Sequence, residues 1–116
     1  MEQRSHHLEK RAFKFANDCR DLAKTLTTTV SNAEDCKQLI RSSEAIVANY
    51  IEANKKVGDK DFLLRCKTAH VEAKECGYWL RMLEPFNQEQ SVEIETLIIE
   101  SEELKGMLSA IINKVE

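Results

Sequence analysis

Glycine and proline are almost missing from this chain: three Gly and one Pro in 116 residues. Sheets with tight turns use more of both, so their scarcity argues against a strand-rich fold and for long uninterrupted helices. No apolar run approaches the roughly 18 residues of a membrane span. The opening stretch, Met1-Glu2-Gln3-Arg4-Ser5-His6-His7, lacks the apolar centre of a secretory signal. A cytoplasmic protein is therefore expected, away from any membrane, with its four cysteines kept as thiols.

Recognisable chemistry is sparse as well. Cys19, Cys36, Cys66 and Cys76 occur singly, with no Cys-x-x-Cys pair to begin a zinc site. No glycine-rich phosphate loop and no serine-hydrolase elbow is present. A di-iron bundle needs Glu three residues before His. Neither His70 nor His6 and His7 has one, and Glu72 and Glu75 lack a His at that spacing. No metal, cofactor or catalytic residue is expected, and the chain reads as a non-enzyme.

What is abundant is charge, 32% of residues, and helical periodicity. The length suits one domain, residues 1–116, with a single core. A first helix is expected over 5–29, with Leu8, Ala12, Phe15, Cys19, Leu22 and Leu26 in alternating steps of four and three. Ser31 and Glu34 have the form of a capping box opening the second helix. Its seam is Cys36, Leu39, Ser43, Ile46, Tyr50, Ala53 and Val57, and Gly58 is placed to stop it. Asp59 or Asp61 can cap a third helix with the seam Phe62, Cys66, Ala69, Ala73, Cys76, Leu80 and Leu83, ended at Pro85. Asn87 and Gln90 can box a fourth, with Ile94, Leu97, Ser101, Leu104, Leu108, Ile111 and Val115. Short connections make neighbours antiparallel, so the expected fold is all-α: an up-down-up-down four-helix bundle. All four cysteines fall on seams, where they act as small apolar groups.

The seams do not use all the apolar residues. Ile40, Val47, Ile51, Trp79, Met82, Ile99 and Met107 cannot all face one bundle axis. A second buried surface between copies of the chain would absorb them. Alternatively, Tyr78, Trp79 and Met82 offer aromatic anchors to another protein.

Charge is uneven. Residues 1–30 carry a surplus of two positive charges and residues 85–116 a deficit of five, within a net −3. Lys10, Arg11, Lys14, Arg20 and Lys24 form the candidate phosphate-contacting set on the first helix, and charge matching between neighbouring helices is the competing use for them. The second helix, Gln38 to Asn54, threads Arg41, Asn49 and Glu52 along one face beside Ala45 and Ala48. These residues serve either as a buried polar network that fixes register, with Glu44, Glu72 or Glu75 as partners for Arg41, or as a ligand site.

The stretches Gln38-Leu39-Ile40-Arg41-Ser42 and Ile46-Val47-Ala48-Asn49-Tyr50-Ile51-Glu52-Ala53 resemble the signature of bacterial four-helix-bundle proteins related to the 23S rRNA intervening-sequence protein. Asp61-Phe62-Leu63, Val71 to Glu75 and Tyr78 to Leu83 are similar to that family's third helix, and Glu100 to Leu104 with Met107-Leu108 and Ile111-Ile112 to its last. The resemblance implies an antiparallel bundle that assembles into a homo-oligomer, a pentameric ring, with no enzymatic activity. Similar proteins include the accessory variability determinant of diversity-generating retroelements, which works with a reverse transcriptase and nucleic acid. The expected function is thus a non-catalytic scaffold associated with RNA, DNA or a nucleic-acid enzyme. The alternatives are a protein-binding adaptor, or a small-molecule binder or enzyme built on Arg41, Asn49 and Glu52.

Overall fold

The computed structural model describes residues 2–26, 28–55 and 57–116, with side chains from His7 onward. Thr27 and the side chain of His6 lie outside the described residues. Four helices follow one another: α1 (Glu2–Thr25), α2 (Val30–Ala53), α3 (Asp59–Leu83) and α4 (Ser91–Val115). Two 3₁₀ turns, Glu84–Phe86 and Gln88–Gln90, join the last two. There is no strand among the described residues. Helices of this length run about 37 Å at 1.5 Å per residue, which accounts for most of the 44 Å long axis. α2 packs on α3, α3 on α4, and α1 closes the bundle against both α2 and α4.

The seams converge on one core. Leu8, Ala12, Phe15, Cys19, Leu22 and Leu26 are buried, as are Leu39, Ser43, Ile46, Tyr50 and Ala53. From α3 come Cys66, Ala69, Ala73, Cys76, Leu80 and Leu83, and from α4 Ile94, Leu97, Ser101, Leu104 and Leu108. Small residues on α3 let its neighbours approach closely. A Cβ on Gly77 would sit 2.9 Å from an Arg81 guanidinium nitrogen and 3.3 Å from Ser101 Oγ. The seams fail only at helix ends: Val57 and Val115 are exposed, and Ile112 is buried where Ile111 was expected.

Most helix ends differ from the sequence expectation, each for a local reason, while α3 ends ahead of Pro85 as expected. α1 stops at Thr25, four residues early. There the Thr25 hydroxyl bonds back to the Leu22 carbonyl at 2.8 Å, a contact that competes with helix continuation. α2 is capped by Thr29, whose Oγ1 accepts from the Asn32 amide at 3.1 Å, so Ser31 and Glu34 lie inside the helix and form no box. Gly58 does not stop α2, which ends at Ala53. It stands at the entry to α3 with φ +149°, a conformation side chains resist. Asp59 and Asp61 fall in the first turn of α3, where their charge suits the helix dipole without a capping bond. α3 ends at Leu83, ahead of Pro85.

Asn87 does not cap α4. It is buried and exchanges two amide hydrogen bonds with Asn32, 2.8 and 3.0 Å long. Its Nδ2 also donates to the Leu83 carbonyl at 2.7 Å. This pair ties the α1–α2 turn to the α3–α4 turn at one end of the bundle.

Candidate functional site

The polar residues of α2 are held separately. Arg41 reaches across to α3, donating to Glu75 at 3.2 Å and to Glu72 at 3.4 Å, and to Gln38 on its own helix. Burial pushes the Glu72 carboxyl above the usual range, its bond with Glu75 pushes further, and Arg41 opposes both. Asn49 donates to the Ala45 carbonyl at 2.9 Å and accepts from Arg65 of α3 at 3.4 Å. Glu52 pairs with Lys55 at 3.1 Å. Among the described residues no two of Arg41, Asn49 and Glu52 share a bonding partner. Arg41 and Asn49 join α2 to α3, Glu52 stays with the turn after α2, and no reactive groups are drawn together. Next to it, Ser42 is buried within 3.2 Å of Cys76 Sγ and bonds back to the Gln38 carbonyl.

The basic set of α1 is largely consumed within the chain. Arg11 grips Glu100 of α4 through two bonds, 2.6 and 2.8 Å, and also bonds Glu103. Donating these hydrogen bonds to Glu100 holds the guanidinium protons more tightly than usual. Arg20 pairs with Glu44 of α2, and Lys14 with Asp18 at 2.7 Å. Lys10 and Lys24 alone of the five are exposed without an ion pair among the described residues. Three of five candidate phosphate contacts therefore already have carboxylate partners.

The buried thiols are inert by environment. Burial pushes Cys76 up to about 12 and Cys66 up to about 11, and raises Cys19 further. Among the described residues there is no cluster of three or more His, Cys, Asp or Glu fit to hold a metal ion. No helix among them is long and apolar enough to cross a membrane.

Apolar surface is the most conspicuous asset of the exterior. Tyr78 (53% exposed) and Met82 (42%) face outward, while Trp79 packs partly on the core with its ring edge-on to Tyr78 at 4.8 Å. Ile40, Val47 and Met107 are half-buried, and Ile51 and Ile99 are exposed. A furrow runs between α1 and α2. One half, about 480 Å³, is lined by Phe13, Ala16, Val47, Ala48 and Ile51, and the other, about 590 Å³, by Ala23, Lys24, Ala33, Lys37 and Ile40. The Arg20–Glu44 pair stands between them. Phe13, 60% exposed, was missed by sequence reasoning. Its signal was its place one residue past Ala12, off the α1 seam.

The family model for 23S rRNA-intervening sequence proteins matches residues 4–110. The chain belongs to that family. The intervening-sequence protein match spans all four helices, so it covers the core, the Arg41 seam and the furrow together. A crystal structure of a protein of unknown function from the S23 ribosomal protein family, from Bacteroides thetaiotaomicron, has the same fold. It shares 27% identity over 95% of this chain and 98% of its own, with a TM-score of 0.82. No curated protein matches this intervening-sequence protein.

Proposed function

We propose that this protein is a non-catalytic helical-bundle scaffold that works as a homo-oligomer in the cytoplasm, with five copies as the assembly size. The observation that carries the reading is the apolar surface outside the core: Phe13, Ile51, Tyr78, Met82 and Ile99 are exposed on all four helices. Burying such surface gains roughly 25 cal/mol per Å², and contact between copies is the simplest way to bury it. The polar groups of α2 are spent on packing α2 against α3, which favours assembly over chemistry at that face.

An accessory role beside nucleic acid is the partner we propose, and it rests on the family's association with 23S rRNA intervening sequences. Lys10 would supply the contact, since Arg11, Lys14 and Arg20 are engaged and Lys24 lies on the furrow between α1 and α2. Repetition around a ring would multiply this weak contact by avidity. The adaptor reading keeps one observation of its own, the exposed Tyr78 and Met82 on α3.

Light scattering on the purified chain, with and without a mixed RNA and DNA pool at low salt, tests this reading. A multimer whose mass rises with nucleic acid, reversibly on adding salt, is the expected result. A multimer indifferent to nucleic acid would remove the accessory role and leave the scaffold. A chain that stays single would overturn the scaffold and make Tyr78 and Met82 the leading docking residues.

A further inference from the structure

Two surfaces of the monomer complement each other. The first is the α1–α2 furrow: small alanines line both halves, Phe13 stands exposed at one end, and Lys24 and Lys37 flank the other. The second is the outer face of α4. Val92, Ile99 and Gly106 recur there every seven residues, which places them on one stripe. Val92 and Ile99 are 81% and 62% exposed. Glu95 flanks them, and neither it nor Lys24 nor Lys37 makes an ion pair among the described residues.

Gly106 is the telling residue. It sits in the middle of α4, where glycine weakens a helix. A Cβ there would meet nothing within 4 Å, so no contact inside the chain requires its absence. A notch in an exposed helix has a use when something outside fills it.

The levels agree. Distances can be counted along the helices at ~1.5 Å per residue from the end that carries the Asn32–Asn87 pair. On α1 and α4, which share a level where Arg11 meets Glu100, Lys24 lies at roughly 2 Å and Glu95 at roughly 6 Å on that count. Phe13 lies at roughly 18 Å and Gly106 at roughly 22 Å. In a ring all copies point the same way along the axis. The α4 stripe of one copy, set beside the furrow of the next, then places Glu95 near the level of Lys24 and Gly106 near that of Phe13, both within about 4 Å along the axis.

We propose that the α1–α2 furrow receives the outer face of α4 from a second copy, head to tail, with Phe13 seated in the notch at Gly106. This rests on the homo-oligomer reading and adds which surfaces meet. The two surfaces differ, so the contact is heterologous and propagates into a ring rather than stopping at a two-fold pair.

Gly106→Gln and Phe13→Glu test it. Both sites are open to solvent in the single chain, and Gln is a good helix former, so both variants should keep the far-UV circular dichroism of a folded bundle. Light scattering at matched high concentration should show the wild type as a multimer and each variant at the 13.3 kDa of one chain. An equimolar mixture of the two should form a two-chain species and nothing larger. There, the intact stripe of Phe13→Glu fills the intact furrow of Gly106→Gln, and no further junction is left. Variants that keep the wild-type mass, or a mixture that stays single, would overturn the assignment while leaving self-association standing. A single-chain wild type would overturn self-association and this contact with it.

Discussion

Replacing Asn32 by Ala should destabilise the bundle far more than its place beside a surface turn suggests. Asn32 and Asn87 exchange two hydrogen bonds in a buried site, 55 positions apart in the chain. Each bond contributes a net ~1 kcal/mol, and the stranded Asn87 carbonyl oxygen adds a desolvation penalty of about 1–3 kcal/mol. The single change should therefore cost about 3–5 kcal/mol, and Asn87→Ala at least as much, since it also loses the bond to the Leu83 carbonyl. Replacing both removes the stranded amide, so the double variant should cost well under the sum of the singles. Urea unfolding, followed by Trp79 fluorescence and far-UV circular dichroism at one fixed protein concentration, gives all four corners of the cycle. A cost below about 1 kcal/mol for Asn32→Ala would refute the reasoning. Two singles that simply add, within about 0.5 kcal/mol, would refute it equally.

Three further outcomes follow from the packing and the environments of titrating groups. Gly77→Leu should cost about 1–3 kcal/mol by overpacking, because Ser101 already limits the space for a Cβ; urea midpoints measure it. Cys19 and Cys76, buried and raised above the ordinary thiol range, should resist a thiol reagent at pH 8 until the chain is unfolded. Mass spectrometry of the labelled peptides would show this, and early labelling of either residue would contradict it. His70 is held below its ordinary 6.5 by burial, with Lys105 and Lys74 adding to the effect. The unfolded chain then takes up the proton first, so stability is full above about pH 6.5 and falls as pH drops through that value toward the lower folded one. His70→Gln should flatten the decline of the melting temperature between pH 7 and pH 5, and an unchanged slope would assign the decline elsewhere.

The core was legible because its signal is local. Leu8 through Leu26 and Cys66 through Leu83 announce their buried faces by steps of three and four, and every one of the α1 positions is buried. The surplus apolar residues were legible for the same reason, since Ile51, Met82 and Ile99 fall off the seams and are exposed. The end of α3 before Pro85 was legible too, but the start of α2 was not, because Thr29, Ser31 and Asn32 offer overlapping caps. Which one forms depends on where the chain must turn to meet α1. Arg11 reads as a phosphate ligand until Glu100 comes within 2.6 Å of it from 89 positions away. Periodicity carries no information about such pairs. Within the candidate site, Arg41 was offered Glu44, Glu72 or Glu75 as partners of a buried group, and it lies half exposed beside the last two, while Phe13 escaped notice because it falls off the α1 seam.

The Asn32–Asn87 pair also makes the two ends of the bundle unequal. At one end a buried tie holds both turns in a fixed relation. At the other the α2–α3 turn presents Lys55, Val57 and Gly58 to solvent. Thermal opening should begin at that looser end, and amide protection should climb toward the tied one. For anyone grafting a tag, a fluorophore or a second protein onto this bundle, the exposed stretch beside Lys55 and Val57 is the place to insert it.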